Sequence, residues 1–429
     1  MALLNAAACR PVVLPERVRP RPLAWQLCLQ VLTLAGGLAV STPLAAASAE
    51  RAELPVPQSH TPRRPERAAS FDDLAARAAA SRDNGRLQEA LSLYRAALTA
   101  RPDWDEGRWY VATLLYELDQ FAEAKDAFAD VLRREPAHAG AIGLKGLCEF
   151  ELRQYDAALP DLLQARLMGV AQSGGIATAV SYHAAILLTR RAEFEVANQM
   201  LIEFVASGTD TPQVLEAFGL TVLRMAVLPS ELSDPARELV QLAGRAGYAM
   251  AARHVDAART ALDELATRYP KTPNVHYARA VFFLTEDSAR AIDEFRRELE
   301  ISPSHVPSRL QMVFEYLKRG DAAQALPIAI EAATLAPDLF ATRLALGQVL
   351  LETNEIPRAI TELEAAARLA PGSPQAHFML ARAYARAGRE DDAAKARAEF
   401  TRLDQIVRTT RQGSQAVGGI PSPGVDRPR

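Results

Sequence analysis

The sequence predicts an all-α protein, built as a solenoid of about ten helix-turn-helix repeats. Three observations predict this fold class: prolines recur at intervals of 33 or 34 residues with one gap between Pro136 and Pro270, alanines recur twelve residues before those prolines, and the apolar residues between them follow helical spacing. A period of this length is typical of solenoids, in which each repeat buries its apolar face against the next one. Of the 429 residues 49% are hydrophobic, which is enough for such a core.

The period is marked by two series of residues. The prolines are Pro102, Pro136, Pro270, Pro303, Pro337 and Pro371. The alanines are Ala90, Ala124, Ala258, Ala291, Ala325 and Ala359, and the series is extended by Ala158, Ala197 and Ala393. Because proline cannot continue a helix, each should end one hairpin and lead into the next. The repeats are predicted to begin near residues 71, 105, 139, 178, 212, 239, 273, 306, 340 and 374.

Residues 340–373 illustrate one repeat. Two apolar stripes at helical spacing predict two helices, the first through Leu346 and Leu350 and the second through Ala359 and Leu363. Asn354 lies between them, where a left-handed backbone is expected, and other repeats place glycine there: Gly85, Gly320 and Gly388. A small residue at the eighth position is expected where the two helix backbones cross closely.

Two departures from the period predict an irregular region. Residues 168–179 lengthen one junction by about five residues, and the segment "LPSELSDPAREL" stands where the repeat at 212 should have its second helix. The repeats therefore divide into an N-terminal block over 70–172, an irregular region over 173–238 and a C-terminal block over 239–411 that ends in a capping helix. The irregular region is interpreted either as drift in a tolerant repeat or as a hinge or ligand-facing insertion.

The two ends of the chain differ in composition from the repeats. Arginines precede a charge-free stretch, Pro22–Ala49, that ends in small residues, so residues 1–49 are predicted to be a signal peptide cleaved after Ala49. An uncleaved membrane anchor is the alternative. Residues 50–69 are predicted to be a proline-rich linker, and residues 412–429 a disordered tail. These features predict an exported, periplasmic protein.

Composition and motifs indicate no catalytic, metal or cofactor site. The formal net charge of -3 does not favour a nucleic-acid partner. Cys148 is the one cysteine after Ala49, so no intramolecular disulfide is expected in the exported chain. The seven histidines occur singly, and no nucleophile elbow or phosphate-binding loop is present. The sequence therefore predicts a protein that is not an enzyme and that needs no cofactor and no metal.

The repeats resemble a known family. Residues 105–138 carry Tyr116, Phe121, Ala124, Phe128 and Pro136, and residues 139–172 carry Gly146, Phe150, Tyr155 and Ala158. This pattern is similar to the tetratricopeptide repeat, and the resemblance, to exported bacterial members, extends over residues 71–407. It implies a right-handed superhelix whose concave face is formed by the first helix of each repeat.

The resemblance also implies which side chains point into the groove. At the fifth and ninth positions of the first helices the apolar residues are Trp109, Tyr182, Ile186, Leu220, Tyr277, Val281, Leu310, Phe314, Leu344 and Phe378. These ten are the predicted partner-binding residues, because exposed apolar patches usually mark interfaces. The alternatives are that they pack against neighbouring repeats, or that the chain's own linker or tail fills the groove.

The predicted function is a non-catalytic scaffold or adaptor of the cell envelope that binds a peptide or helix of a partner protein. The alternative is a structural subunit or self-assembling module of an envelope or secretion complex. The expected partners are proteins, with no nucleic acid and no membrane insertion after signal cleavage. The sequence leaves the identity of the partner and the oligomeric state open.

Overall fold

A computed structural model of the chain describes residues 70–170 and 175–417, with side chains as far as residue 409. The predicted signal peptide, the linker at 50–69 and the last residues, 418–429, lie outside the described residues. Within the described ranges the regular structure is helical and contains no strand. Over the same ranges no helix is long and apolar enough to cross a membrane.

The described residues form nineteen α-helices and one short 3-10 turn, Pro229–Glu231. The helices are α1 (Phe71–Asp83), α2 (Leu87–Ala100), α3 (Asp105–Glu117), α4 (Phe121–Arg134), α5 (Ala139–Glu151), α6 (Tyr155–Leu167), α7 (Gly175–Arg190), α8 (Phe194–Ala206), α9 (Pro212–Val222), α10 (Asp234–Ala251), α11 (Val255–Arg268), α12 (Val275–Phe283), α13 (Ser288–Ile301), α14 (Val306–Lys318), α15 (Ala322–Leu335), α16 (Phe340–Glu352), α17 (Ile356–Leu369), α18 (Pro374–Arg386) and α19 (Glu390–Val417).

The repeat prolines end the hairpins as predicted. In all six repeats that carry one, the second helix ends two residues before the proline: α2 ends at Ala100 before Pro102, and α17 ends at Leu369 before Pro371. The residue before a proline is disfavoured in helical conformation, which explains this constant offset.

The turns inside most of the hairpins have the predicted left-handed backbone, whereas the turn between α12 and α13 contains no residue with a positive φ. Asn354 has a φ of 66°, and Gly85 and Gly320 have φ values of 71° and 77°. Other repeats hold non-glycine residues in the same conformation, among them Arg153 and Ala192. The turn geometry is therefore common to these repeats even where the residue does not favour it.

Small residues lie where helices cross closely. A Cβ atom built on Gly347 in α16 would be 2.6 Å from Cγ of Leu363 in α17. Both stripes of this repeat are buried, including Leu350 and Ala359. The apolar side chains of the two helices thus form one continuous core.

The repeat at 212 lacks a second helix of its own. Helix α10 begins at Asp234, earlier than the repeat predicted at 239, and packs on both α9 and α11. A Cβ atom on Gly219 would be 1.9 Å from the carbonyl oxygen of Val240, so α9 and α10 are in direct backbone contact. Pro235 in the first turn of α10 favours a helix start there and explains why the helix extends beyond the repeat boundary.

The described residues divide into two compact units between Val180 and Ser181. In the first unit the largest fully buried side chains include Tyr94 and Phe128. In the second, one core cluster extends from Ala246 to Ala396. The division into an N-terminal block, an irregular region and a C-terminal block, with boundaries at 172 and 238, stays a prediction.

The C-terminal helix is longer than predicted. Helix α19 continues to Val417, so residues 412–417, which were expected to belong to a disordered tail, are helical. One glycine in a helix interior costs only about 1 kcal/mol, and the first proline after α19 is Pro421. A helix of 28 residues tolerates Gly413.

Candidate functional site

The ten predicted partner-binding residues differ widely in exposure. Four are buried in the core: Ile186, Leu220, Leu310 and Leu344. Four are half-buried: Trp109, Tyr182, Tyr277 and Val281. Two are exposed, Phe314 at 39% and Phe378 at 47%. The four buried side chains expose almost no surface to a partner, so they pack against neighbouring residues, as the alternative interpretation predicted. The candidate binding surface therefore consists of the other six residues.

Trp109, in the first unit, is held by a histidine from the next repeat. The indole and the His138 imidazole are stacked, with ring centroids 4.6 Å apart, and Phe128 contacts the indole at 5.8 Å. His138 precedes α5, and its Nδ1 accepts a hydrogen bond from the backbone N–H of Ala141 at 3.1 Å. Because this cap fixes the imidazole, it also fixes the plane against which the indole stacks.

Trp109 lines a cavity of about 260 Å³. The other lining residues come from the first turn of α3, the end of α4 and the capping histidine: Asp105, Glu106, Arg108, Val131, Arg134, Glu135 and His138. The cavity thus combines an aromatic wall with charged groups of both signs.

The charges around this cavity are unequally paired. Asp105 contacts both lining arginines, with Arg134 at 3.0 Å and Arg108 at 4.0 Å. Glu106 and Glu135 are exposed and form no ion pair with any other described residue. The first unit therefore presents unpaired negative charge beside an accessible part of an aromatic ring.

The second unit repeats this arrangement around Tyr277. The Tyr277 ring lies 5.0 Å from the His305 ring at an interplanar angle of 73°. His305 precedes α14, and its Nδ1 accepts a hydrogen bond from the backbone N–H of Ser308 at 3.3 Å. A histidine that caps the next first helix again supports the aromatic residue at the fifth position.

Arg224 brings positive charge to the Tyr277 pair. This residue follows α9 in the irregular region, and its guanidinium lies 5.8 Å from the Tyr277 ring and 4.7 Å from the Phe194 ring. It also forms an ion pair with Glu195 at 2.6 Å. Burial, together with Arg224 and Arg309, lowers the pKa of His305 to about 4. The His305 ring is therefore neutral at physiological pH.

A buried charge network lies behind Tyr277. His276 Nδ1 is 2.7 Å from Glu294 Oε2, and Glu294 also contacts Arg279 and Arg297. The hydrogen bond to Glu294 raises the pKa of His276, and the same bond, with both arginines, lowers the pKa of Glu294 against the effect of burial. His276 is itself buried, so this network forms part of the packing behind Tyr277.

Other reactive groups do not form a catalytic arrangement in the described residues. Cys148 is buried, which raises the pKa of its thiol to about 12. Lys145 is paired with Glu149 and Asp161. Over the described ranges no three His, Cys, Asp or Glu side chains are grouped so that they could hold a metal ion.

The capping histidines are the contacts that the sequence analysis missed. Both follow a repeat proline by two residues, as Pro136-Ala137-His138 and Pro303-Ser304-His305. Both lie about one repeat after an aromatic residue at the fifth position. This Pro-x-His signal was present, and reading the histidines in phase with the repeat would have found them.

Comparison with known proteins identifies the repeats. Two family profiles, both described as tetratricopeptide repeat, match the chain, one over residues 244–306, 314–374 and 344–402 and the other over residues 81–148. Together they cover about half of the chain. No curated protein matches the sequence.

Solved structures similar to this chain include three of MamA. A MamA RS-1 ArsTM double mutant is 19% identical, with 41% of this chain and 98% of that chain covered and a TM-score of 0.38. MamA 41-end from Desulfovibrio magneticus RS-1 is 21% identical, with 41% and 97% covered and a TM-score of 0.35. A further MamA crystal structure is 15% identical, with 38% and 96% covered and a TM-score of 0.36.

Proposed function

Because the chain belongs to the tetratricopeptide repeat family, we propose that it is a non-catalytic scaffold or adaptor that binds a peptide or helix of a partner protein. Family membership supports a protein-interaction scaffold in general terms. The finer proposal is that binding occurs along the face formed by the first helices, through the accessible members of the predicted set.

The finer proposal rests on one observation: Phe314 in α14 and Phe378 in α18 lie in first helices and keep 39% and 47% of their surface exposed. Phe314 lies in α14 between Val313 and Glu315, which are both buried, yet 39% of its own surface is accessible. Fully burying such a side chain contributes about 1.5–3 kcal/mol. A partner that covered both rings would bury the parts that are still exposed, 39% of Phe314 and 47% of Phe378, and gain the corresponding share of that free energy.

Photocrosslinking in cells tests the proposal. A benzophenone amino acid is placed at position 314, and the captured protein is identified by mass spectrometry. Position 330 is the matched control, since Ile330 is also 39% exposed but lies in a second helix, α15. We expect one partner protein captured from 314 and not from 330. Equal capture from both positions, or capture only of this chain's own segments, would contradict the proposal.

Export to the periplasm is a separate proposal, supported by the order of basic, apolar and small residues before Ala49. A fusion of alkaline phosphatase after residue 70 tests it, because that enzyme is active only outside the cytoplasm. We expect activity that is lost when residues 1–49 are deleted. An inactive fusion that accumulates in the cytoplasm would contradict export.

The alternative function, a self-assembling module of an envelope or secretion complex, is favoured by a different observation. Leu335 and Leu369 end successive second helices, one repeat apart, and are 45% and 41% exposed. Light scattering at increasing protein concentration separates the two functions. A constant monomer mass supports the adaptor, and a mass that increases with concentration and reverts in Leu335→Asp/Leu369→Asp supports self-assembly.

A further inference from the structure

The cavity beside Trp109 has a surplus of negative charge that no described residue neutralises. Its two arginines are both engaged by Asp105, which leaves Glu106 and Glu135 without a cationic partner in the described ranges. The half-buried indole of Trp109 forms one wall. Carboxylates next to an aromatic face suit a guanidinium group, because a guanidinium forms ion pairs with carboxylates and stacks on aromatic rings.

The chain itself carries such groups directly before α1. The segment 61–69 reads "TPRRPERAA" and contains Arg63, Arg64 and Arg67, with Glu66 as its one acidic residue. It contains no lysine, and in the whole chain the first lysine is Lys125. The segment therefore supplies three guanidinium groups and a net positive charge opposite in sign to the surplus at the cavity.

The point at which this segment joins the described fold is close to the cavity. Ser70 caps α1, since its Oγ accepts a hydrogen bond from the backbone N–H of Asp73 at 3.2 Å. The next residue, Phe71, packs edge-on against Trp104 with ring centroids 5.0 Å apart. Trp104 immediately precedes α3, and its ring folds back over Gly107, where a Cβ atom would be only 2.2 Å from it. The first turn of α3, which holds Glu106 and is followed by Trp109, thus comes directly after this contact.

Chain length permits the arginines to reach the cavity. A segment of n residues spans at most about 3.5 Å × n, so Arg64, six residues before Ser70, has a reach of about 21 Å. The five residues from Trp104 to Trp109 rise only about 7.5 Å along the helix axis, at about 1.5 Å per residue.

We propose that the arginines of residues 63–67 occupy the Trp109 cavity and pair with Glu106 and Glu135, as an internal ligand of the first unit. Because the segment is tethered to the first unit, even a weak interaction is sufficient for it to occupy the cavity. A short tether gives an effective concentration on the order of millimolar, so a contact with a millimolar dissociation constant is about half occupied. A partner protein that binds at Trp109 would then have to displace this segment, and cationic side chains would be favoured in such a partner.

Zero-length crosslinking of the full chain tests the occupant. The variant Arg64→Lys keeps the charge and places an amine in a segment that otherwise has none, and a carbodiimide joins an amine only to a carboxylate in direct contact. We expect an intrachain link from position 64 to Glu106 or Glu135, at least fivefold reduced by Glu106→Gln/Glu135→Gln and by 0.5 M salt. The control Glu89→Gln/Glu123→Gln removes two exposed carboxylates outside the cavity and should leave the yield unchanged.

Three results would overturn the proposal. A link between two chains would assign the cavity to a second copy instead of the chain's own segment. Links from position 64 spread evenly over many carboxylates would show that the segment has no fixed site. Absence of any link, in a protein whose position 64 reacts fully with an amine-specific acetylating reagent, would show that the segment is not at the cavity.

Discussion

The pair Trp109–His138 in the first unit and the pair Tyr277–His305 in the second are built in the same way but differ in charge. In both, an aromatic residue at the fifth position of one repeat contacts a histidine that caps the first helix of the next. Glu106 and Glu135, which form no ion pair with a described residue, flank the first pair, whereas Arg224, paired with Glu195, lies beside the second.

This difference shows that the repeat pattern determines how the two rings and the cap are arranged, whereas residues outside the pattern determine the charge beside them. The repeat determines the aromatic position, the cap and the contact between the two rings, because these follow from spacing within one hairpin and its neighbour. The charge comes from residues that the repeat does not specify. Arg224 is the clearest case, since it follows α9 in the repeat without a second helix of its own and has a φ of 51°.

We expect the strongest effect from displacing Arg224 through α9, the helix that it follows. In Gly219→Ala the new methyl group would collide with the carbonyl oxygen of Val240, so we expect the free energy of unfolding of the second unit to fall by about 3 kcal/mol. Hydrogen exchange should accelerate in α9 and α10 and stay unchanged in α1–α6. Gly372→Ala is the control, since a Cβ atom there meets nothing within 4 Å. Equal acceleration in α1–α6 would contradict the independence of the two pairs.

The charge network behind Tyr277 gives a pH-dependent test of the second unit. His276 has a raised pKa, so its contribution to stability is complete below its unfolded value of about 6.5 and is lost as pH rises through the folded pKa. Glu294 has a lowered pKa, so its contribution is present above about 4.5 and is lost as pH falls through the folded pKa. Both contributions are complete between about pH 4.5 and 6.5.

We therefore expect His276→Gln to lower the free energy of unfolding by about 2 kcal/mol at pH 6, with a smaller difference from wild type at pH 9. Urea denaturation at several pH values measures this. His254→Gln, at an exposed histidine, should change stability little at any pH. A cost of His276→Gln that is independent of pH would contradict the assigned ion pair.

The smallest effect is expected from Arg224→Gln, which tests whether Arg224 lowers the pKa of His305. Removing its charge in Arg224→Gln should raise the pKa of His305 from about 4 part of the way to the ordinary value near 6.5, because burial and Arg309 continue to lower it. Between about pH 4 and 6.5 the unfolded chain binds a proton at His305 more readily than the folded chain does. The free energy of unfolding therefore decreases as pH drops through this range, and it should decrease less in Arg224→Gln than in wild type.

NMR titration of the histidine side chains measures the change at His305 directly. Arg253→Gln is the matched control, since Arg253 also follows a first helix with a left-handed backbone but is exposed. An unchanged His305 titration in Arg224→Gln would show that the arginine does not contribute to the charge of this pair.

Much of the fold could be predicted because it depends on local residues. Proline spacing predicted where helices such as α2 and α17 end, and Asn354 predicted a left-handed turn. The site was less predictable, because exposure depends on contacts between repeats. Leu310 and Phe314 lie one helical turn apart in α14, yet only Phe314 is exposed. Position in the repeat could not separate them, and it could not place Arg224 beside Tyr277.

Binding through the first-helix face is tested by the affinity of the full chain for the partner captured at position 314. Fluorescence anisotropy with the crosslinked segment of that partner would compare wild type, Phe314→Asp and the equally exposed control Ile330→Asp. We expect a dissociation constant at least tenfold higher for Phe314→Asp, because the variant loses the aromatic contact and would bury an unpaired carboxylate in the interface, and no change for Ile330→Asp. Equal affinity of all three proteins would contradict binding through the first-helix face.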